Sequence, residues 1–151
     1  VGERIRLNET NGTHMHLEYP VQGGNFTGAG GASSSIKNVL KQLGIQYDTL
    51  KRVAIASYES EMNIVAYAAK GKLVVDIEPG EINITANDIG PGIPDIEKAL
   101  QEGYSTATPL IREMGFGAGL GLSNIKKAAD EMIIESVVGE GTTVKMKFRL
   151  S

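Results

Sequence analysis

The chain has 151 residues, 41% apolar and 22% charged, the composition of an ordinary globular domain large enough to bury a core. Its net charge of −3 carries no electrostatic footprint for nucleic acid, and the absence of cysteine excludes disulfides, thiolate chemistry and zinc–thiolate sites and fits a cytoplasmic address. No apolar run approaches the roughly 20 residues of a membrane span, and residues 1–12 ("VGERIRLNETNG") do not read as a signal peptide but as a flexible lead into one domain over 13–151.

In chain order, "THMHLEYPV" (13–21) has strand character without a decisive pattern, and "GGNFTGAGGASSS" (23–35) reads as loop. "SSIKNVLKQLG" is a helix: Ile36, Val39, Leu40 and Leu43 fall at i, i+3, i+4 and i+7, serines are at hand to cap it, and Gly44 stops it. Gly28–Gly31 are poor helix formers and push its start later. A long helix is expected over about 47–70, ending at Gly71. "KLVVDI" and "EINITAND" flank Pro79-Gly80 and form a hairpin. "IPDIEKALQEG" is a short helix with Pro94 near its start. A helix follows over about 120–131, and "MIIESVV" and "TTVKMKFRL" make a second hairpin across Gly139-Glu140-Gly141.

Val144, Met146, Phe148 and Leu150 alternate with Lys145, Lys147 and Arg149, as Ile82 and Ile84 do with Asn83 and Thr85. Alternation buries one face and leaves the other to water, the mark of largely antiparallel pairing. All helices must then cover a single face. The expected fold is α+β: a two-layer α/β sandwich with a mixed, mostly antiparallel sheet, not a doubly wound one.

Three stretches carry chemistry. In "GFGAGLG" (115–121) a glycine stands at every second position and runs directly into a helix, although each glycine costs backbone entropy on folding. The dinucleotide fingerprint fails there, because no start places glycines at i, i+2 and i+5, and no Gly-Lys-Ser/Thr exists for a P-loop. A close-approach backbone at a helix N-terminus remains, an anion site or a mere hinge. In "ESEMN" (59–63), Glu59 and Asn63 share a helical face with Ile55, Ala56, Ala66 and Tyr67, while Glu61 points roughly the opposite way. A partly desolvated carboxylate suits a general base and an Asn oxygen suits Mg²⁺; the same spacing also describes a plain surface pair. In "NDIGPGI" (87–93), Asp88 precedes a Gly-Pro-Gly backbone that suits a flat ring and an exocyclic amine, or else only a turn.

Together, and in this order, the three resemble the histidine-kinase-like ATPase superfamily with its Bergerat ATP-binding fold, over roughly residues 13–150. "DIEKALQEGYSTA", "GAGLGLSNIKKAADE" and "VGEGTTVKMKF" are most similar to the bacterial anti-sigma-factor serine/threonine kinases and the switch kinases of stress responses. The resemblance implies a stand-alone kinase that uses ATP and Mg²⁺ to phosphorylate serine or threonine on a partner such as an anti-sigma-factor antagonist. Some relatives also hold a sigma factor or activate a phosphatase by binding, and a homodimer is compatible with it.

Position by position, the resemblance implies that Glu59 is the general base and Asn63 the Mg²⁺ ligand. Asp88 would read the adenine amine, with Gly90 and Gly92 shaping the pocket wall and Thr142 supporting the contact. Gly115, Gly117, Gly119, Leu120 and Gly121 would form the lid that wraps the phosphates, with Ser105 and Thr106 among the nucleotide contacts. The stretch 105–114 ("STATPLIREM") is longer than in the simplest switch kinases, and its Arg112 has no counterpart. His14 and His16, two apart and without a third ligand, read as ordinary strand residues. Among rivals, a histidine-kinase catalytic fragment would work with a phosphoacceptor on a helical hairpin that these 151 residues do not contain. A non-catalytic module switched by ATP is compatible with the same motifs.

Overall fold

A computed structural model describes residues 2–8, 12–101 and 121–150. Its order is β1 (Gly2–Asn8), β2 (Gly12–Gln22), α1 (Gly31–Gln42), α2 (Tyr47–Tyr67), β3 (Lys70–Glu78), β4 (Glu81–Ile89), α3 (Ile96–Ala99), α4 (Gly121–Ala128), β5 (Glu131–Val137) and β6 (Gly141–Arg149). The six strands form one sheet in the order β1-β2-β3-β4-β6-β5. Among the described residues every pairing is antiparallel, where a mixed, mostly antiparallel sheet was expected.

Strand alternation sets which face the helices cover. Leu17, Tyr19 and Val21 of β2, Leu73 and Val75 of β3, and Val144, Met146 and Phe148 of β6 are buried. Ile84 pairs with Val75 on one side and Met146 on the other, which continues the apolar stripe across β4. Ile36 and Leu40 of α1, Val53, Ala56 and Ile64 of α2, and Ile125 and Ala128 of α4 pack onto it. The alternate positions carry the charges of the open face.

Both expected hairpins form. Gly80, at φ 96°, supplies the left-handed position between β3 and β4, and Gly139, at φ 84°, does so between β5 and β6. Among the described residues, no helix is long and apolar enough to cross a membrane.

Four differences from the sequence reading have local causes. Residues 2–8, taken as a flexible lead, form a strand along β2, from Gly2 opposite Glu18 to Asn8 opposite Gly12. The alternation in "GERIRLN" serves an edge strand, which needs no buried run. α2 stops three residues early because Ala68 turns extended (φ −98°, ψ 162°) and the Ala69 N–H donates to the Ile89 carbonyl at 2.8 Å. α4 ends at Ala128, and the Asp130 N–H then donates to the Lys147 carbonyl at 2.9 Å, leading the chain into β5. α1 begins earlier than expected, at Gly31, and no serine side chain caps it.

Its cap comes from elsewhere. The Glu61 carboxylate of α2, expected to face away, is 3% exposed and accepts from the N–H groups of Gly30 (3.0 Å), Ala32 (3.2 Å) and Ser33 (2.9 Å). These are donors that a helix N-terminus leaves without partners, and a negative charge suits that end of the dipole.

Candidate active site

α2 presents Glu59 and Asn63 one turn apart, and α4 lies along that face. Gly121, the first residue of α4, comes so close that a Cβ there would stand 3.0 Å from Asn63 Oδ1 and 3.3 Å from Glu59 Oε2. One turn on, Asn124 hydrogen-bonds the Glu59 carboxylate. The far end of α4 is fastened to the same helix: Arg52, two turns before Glu59, donates from Nη1 to the Ala128 carbonyl at 3.2 Å and lies 3.4 Å from Asp130. Cations at a helix C-terminus are favoured by the dipole.

Glu59 is half-buried, and burial pushes its carboxyl above the usual carboxylate range while the Asn124 bond offsets part of that shift. Asn63 has no hydrogen-bond partner among the described residues, so its carboxamide oxygen is available to a hard cation. No group of three or more His, Asp or Glu among those residues could hold a metal ion by itself. That donor set fits a Mg²⁺ carried mainly by phosphate oxygens and steadied by one side chain.

The second half of the site is the end of β4. Asp88 is also half-buried; burial raises its carboxyl, and a bond from the Thr142 N–H (3.1 Å to Oδ1) partly offsets the rise. A Cβ on Gly141 would collide with the Asp88 carbonyl oxygen, so only glycine lets β6 approach here. The Gly90 N–H donates to the Glu140 carbonyl at 3.1 Å and the Gly139 N–H to the Pro91 carbonyl at 2.8 Å. Gly92 combines φ 75° with a space in which a Cβ would be 2.5 Å from the Val137 carbonyl oxygen. The 88–93 turn is thus stitched to the β5–β6 hairpin.

The two halves meet at the C-terminal end of α2. Ala68, five residues beyond Asn63, is the neighbour against which a Gly90 Cβ would press, at 3.1 Å from its Cα. Thr142 is buried, and its Oγ1 lies 2.9 Å from Ser136 Oγ, which also accepts from the Ile93 N–H at 2.7 Å.

Of the expected site residues, Glu59, Asn63 and Gly121 converge on one face, and Asp88, Gly90, Gly92 and Thr142 on one turn. Ser105, Thr106, Arg112, Gly115, Gly117, Gly119 and Leu120 lie outside the described residues. Asn124 and Ser136 were missed. The signal for Ser136 was a hydroxyl at the core-facing position after Met132 and Ile134; nothing local marked Asn124. His14 and His16 sit on the open face and share Asp76 Oδ1, at 2.9 and 2.6 Å.

The sequence profile of the histidine kinase-, DNA gyrase B-, and HSP90-like ATPases matches residues 50–151. The serine/threonine-protein kinase RsbT of Bacillus subtilis (strain 168) is 38% identical over 113 residues, 72% of this chain and 79% of that one. The anti-sigma F factor of Geobacillus kaustophilus (strain HTA426) is 30% identical over 139 residues, 88% of this chain and 90% of that one. The anti-sigma F factor of Clostridium botulinum (strain Eklund 17B / Type B) is 28% identical over 122 residues, 77% of this chain and 82% of that one. A profile covering two thirds of the sequence, over the segment that carries both halves of the site, makes this chain a member of the histidine kinase-, DNA gyrase B- and HSP90-like ATPase family.

Proposed function

We propose that this protein is an ATP-dependent serine/threonine kinase of the anti-sigma regulatory type, which phosphorylates a partner regulatory protein in the cytoplasm and also controls it by binding. The partner is a protein of the anti-sigma-factor antagonist type; binding of a sigma factor or a phosphatase, and dimerisation, are compatible with this reading. Residues 13–151 act as one ATP-binding domain. The observation that carries the reading is Glu59: a half-buried carboxylate with its affinity for protons raised, one helical turn from the Asn63 carboxamide, which has no hydrogen-bond partner among the described residues, and against a glycine that opens the space beside both.

In this reading Asp88 accepts from the exocyclic amine of adenine, Thr142 steadies Asp88, and Gly90 and Gly92 keep the pocket wall thin. Asn63 would hold Mg²⁺, which would offset the charge of the phosphates, while ATP would supply the transferable phosphoryl group. Gly115, Gly117, Gly119, Leu120 and Gly121 offer backbone N–H groups to the phosphates, with Ser105 and Thr106 beside them. Glu59 takes the proton of the acceptor hydroxyl as that oxygen bonds to the γ-phosphorus. The bond from that phosphorus to its bridging oxygen breaks, and ADP leaves.

The test is incubation with labelled ATP, Mg²⁺ and an antagonist protein encoded nearby, followed by analysis for phosphoserine or phosphothreonine. Transfer that is lost in Glu59→Gln supports the reading. ATP-dependent binding of the partner without transfer would make the protein a nucleotide-switched binding module instead.

A further inference from the structure

We propose that the groove between α1 and α2 is the docking site for the protein substrate, and that it takes an acidic segment carrying apolar side chains. The inference deepens the kinase reading, on which it rests for the identity of the docked protein as the phosphoryl acceptor.

The groove has a volume of about 390 Å³. Its lining includes Tyr47 and Tyr58 of α2, 77% and 44% exposed, and Ile55 between them, 39% exposed. Three large side chains left to water along one helix form the kind of patch that a protein contact covers. Tyrosine serves such contacts well, because its ring packs while its hydroxyl stays solvated.

The charges beside the patch fix the chemistry of the occupant. Lys37 lines the groove from α1 and Lys51 from α2. Among the described residues neither has a carboxylate within ion-pair distance, whereas Arg52 stands against Asp48 and Asp130, Lys72 against Glu18 and Lys145 against Glu135. α1 carries no acidic residue, and the three acids of α2 are engaged elsewhere. Asp48 pairs with Arg52, Glu61 caps α1, and Glu59 lies against Gly121 of α4. The groove is therefore positive in a chain whose net charge is −3. Glu61 already fills the N-terminus of α1, the other anion-attracting feature nearby. Attraction is left to two ammonium groups on opposite walls, which suit carboxylates spaced along a segment.

The groove also leads to the site. Tyr47, Lys51 and Ile55 stand at successive steps of four along α2, and the next step is Glu59. At 1.5 Å per residue, Lys51 lies about 12 Å along the helix axis from Glu59. The adenine half of the site is at the opposite end of α2, where Gly90 adjoins Ala68. A segment seated in the groove thus approaches Glu59 from one end of the helix and the nucleotide from the other, so that acceptor hydroxyl and γ-phosphate meet at one carboxylate.

The experiment uses the whole chain as wild type, as the double variant Lys37→Glu/Lys51→Glu and as Tyr47→Ser, with melting curves verifying the fold. The probes are a fluorescein-labelled peptide in which glutamates flank leucines and its counterpart with lysine for every glutamate. By anisotropy the glutamate peptide should bind wild type and lose about tenfold or more in affinity for the double variant, while the lysine peptide should show the reverse preference. Tyr47→Ser should weaken both pairings, and amide shifts caused by the glutamate peptide should centre on α1 and the first half of α2. On the acceptor protein identified by labelling, the double variant should raise KM about tenfold with kcat within about twofold of wild type. Failure of the glutamate peptide to bind wild type, binding that the double variant leaves unaltered, or an unchanged KM overturns the proposal. So does a wild-type dimer in sedimentation that Tyr47→Ser dissolves, which would give the groove to a second copy of this chain. If no phosphoryl transfer occurs at all, the kinase reading fails, and the anisotropy, which uses neither nucleotide nor turnover, still decides separately whether the groove takes an acidic segment.

Discussion

The backbone N–H of Thr142 reaches Oδ1 of Asp88 at 3.1 Å, joining β6 to the end of β4 across 54 residues. The bond occupies one acceptor site and orients the carboxylate, so that the remaining lone pairs point along a defined direction. Asp88→Asn turns one oxygen into a donor that an adenine amine cannot use. We expect ATP affinity to fall by about 1–3 kcal/mol, the range for a lost hydrogen bond to a charged group. Calorimetry checks it, and equal affinity of the wild type for ATP and GTP would remove the adenine-reading role.

Burial raises the Glu59 carboxyl, so the acid limb of kcat should lie above the usual carboxylate range. Glu59→Gln should lower phosphorylation by roughly 10²–10⁴-fold with nucleotide affinity nearly intact. The same burial has a sign for stability. A carboxyl raised in the folded state is favoured at low pH, and that advantage is lost as pH rises through the folded value. Glu59→Gln should therefore melt higher than wild type at neutral pH, the trade between stability and activity expected at a working site. A lower melting temperature at pH 7 would contradict it.

Gly121→Ala tests the closeness of α4. Alanine favours the helix, but its methyl would stand 3.0 Å from Asn63 Oδ1 and 3.3 Å from Glu59 Oε2. Folding should survive, while phosphorylation falls by up to about 10²-fold through displacement of the two side chains. Single-turnover assays beside a melting curve decide this; full activity would mean that α4 can retreat without consequence.

His16 supplies a pH signature away from the site. Hydrogen bonding to Asp76, and then to Glu18, holds its imidazole above the ordinary histidine range. The stabilisation is complete below the unfolded value, near pH 6.5, and is lost as pH rises through the higher folded value. His16→Gln should destabilise the protein at pH 5.5 by up to about 1 kcal/mol, as for partly exposed pairs, and by less at pH 8.5. Urea denaturation at the two pH values measures the difference, and an effect larger at pH 8.5 would refute the assignment.

What was legible in the sequence was whatever repeats with the period of its own element. Val144, Met146 and Phe148 announce β6 by alternation, Pro79-Gly80 announces its hairpin, and Glu59 and Asn63 announce their common face by a spacing of four. The C-terminal end of α2 was not legible, because Ala68 and Ala69 are good helix formers and the Ile89 carbonyl that captures the Ala69 N–H is twenty residues away in sequence. Glu61 does point away from Glu59 and Asn63, as its spacing said, but its burial was not legible, because α2 has α1 against one flank and α4 against the other. Asn124 was invisible for the same reason: its partner lies on another helix, and no motif links them.

Glu61 also ties the start of α1 to α2. α1 starts on a glycine at φ 98°, with no side-chain cap and no acidic residue in its first turn, so it has no local signal to nucleate. The carboxylate that satisfies its first N–H groups belongs to Glu61, 28 positions after Ser33 and 31 after Gly30. The N-terminal turn of α1 is therefore capped by packing against α2 and not by its own residues. The carboxylate that caps α1 stands two residues from Glu59, so the seating of α1 bears directly on the helix that carries the proposed base.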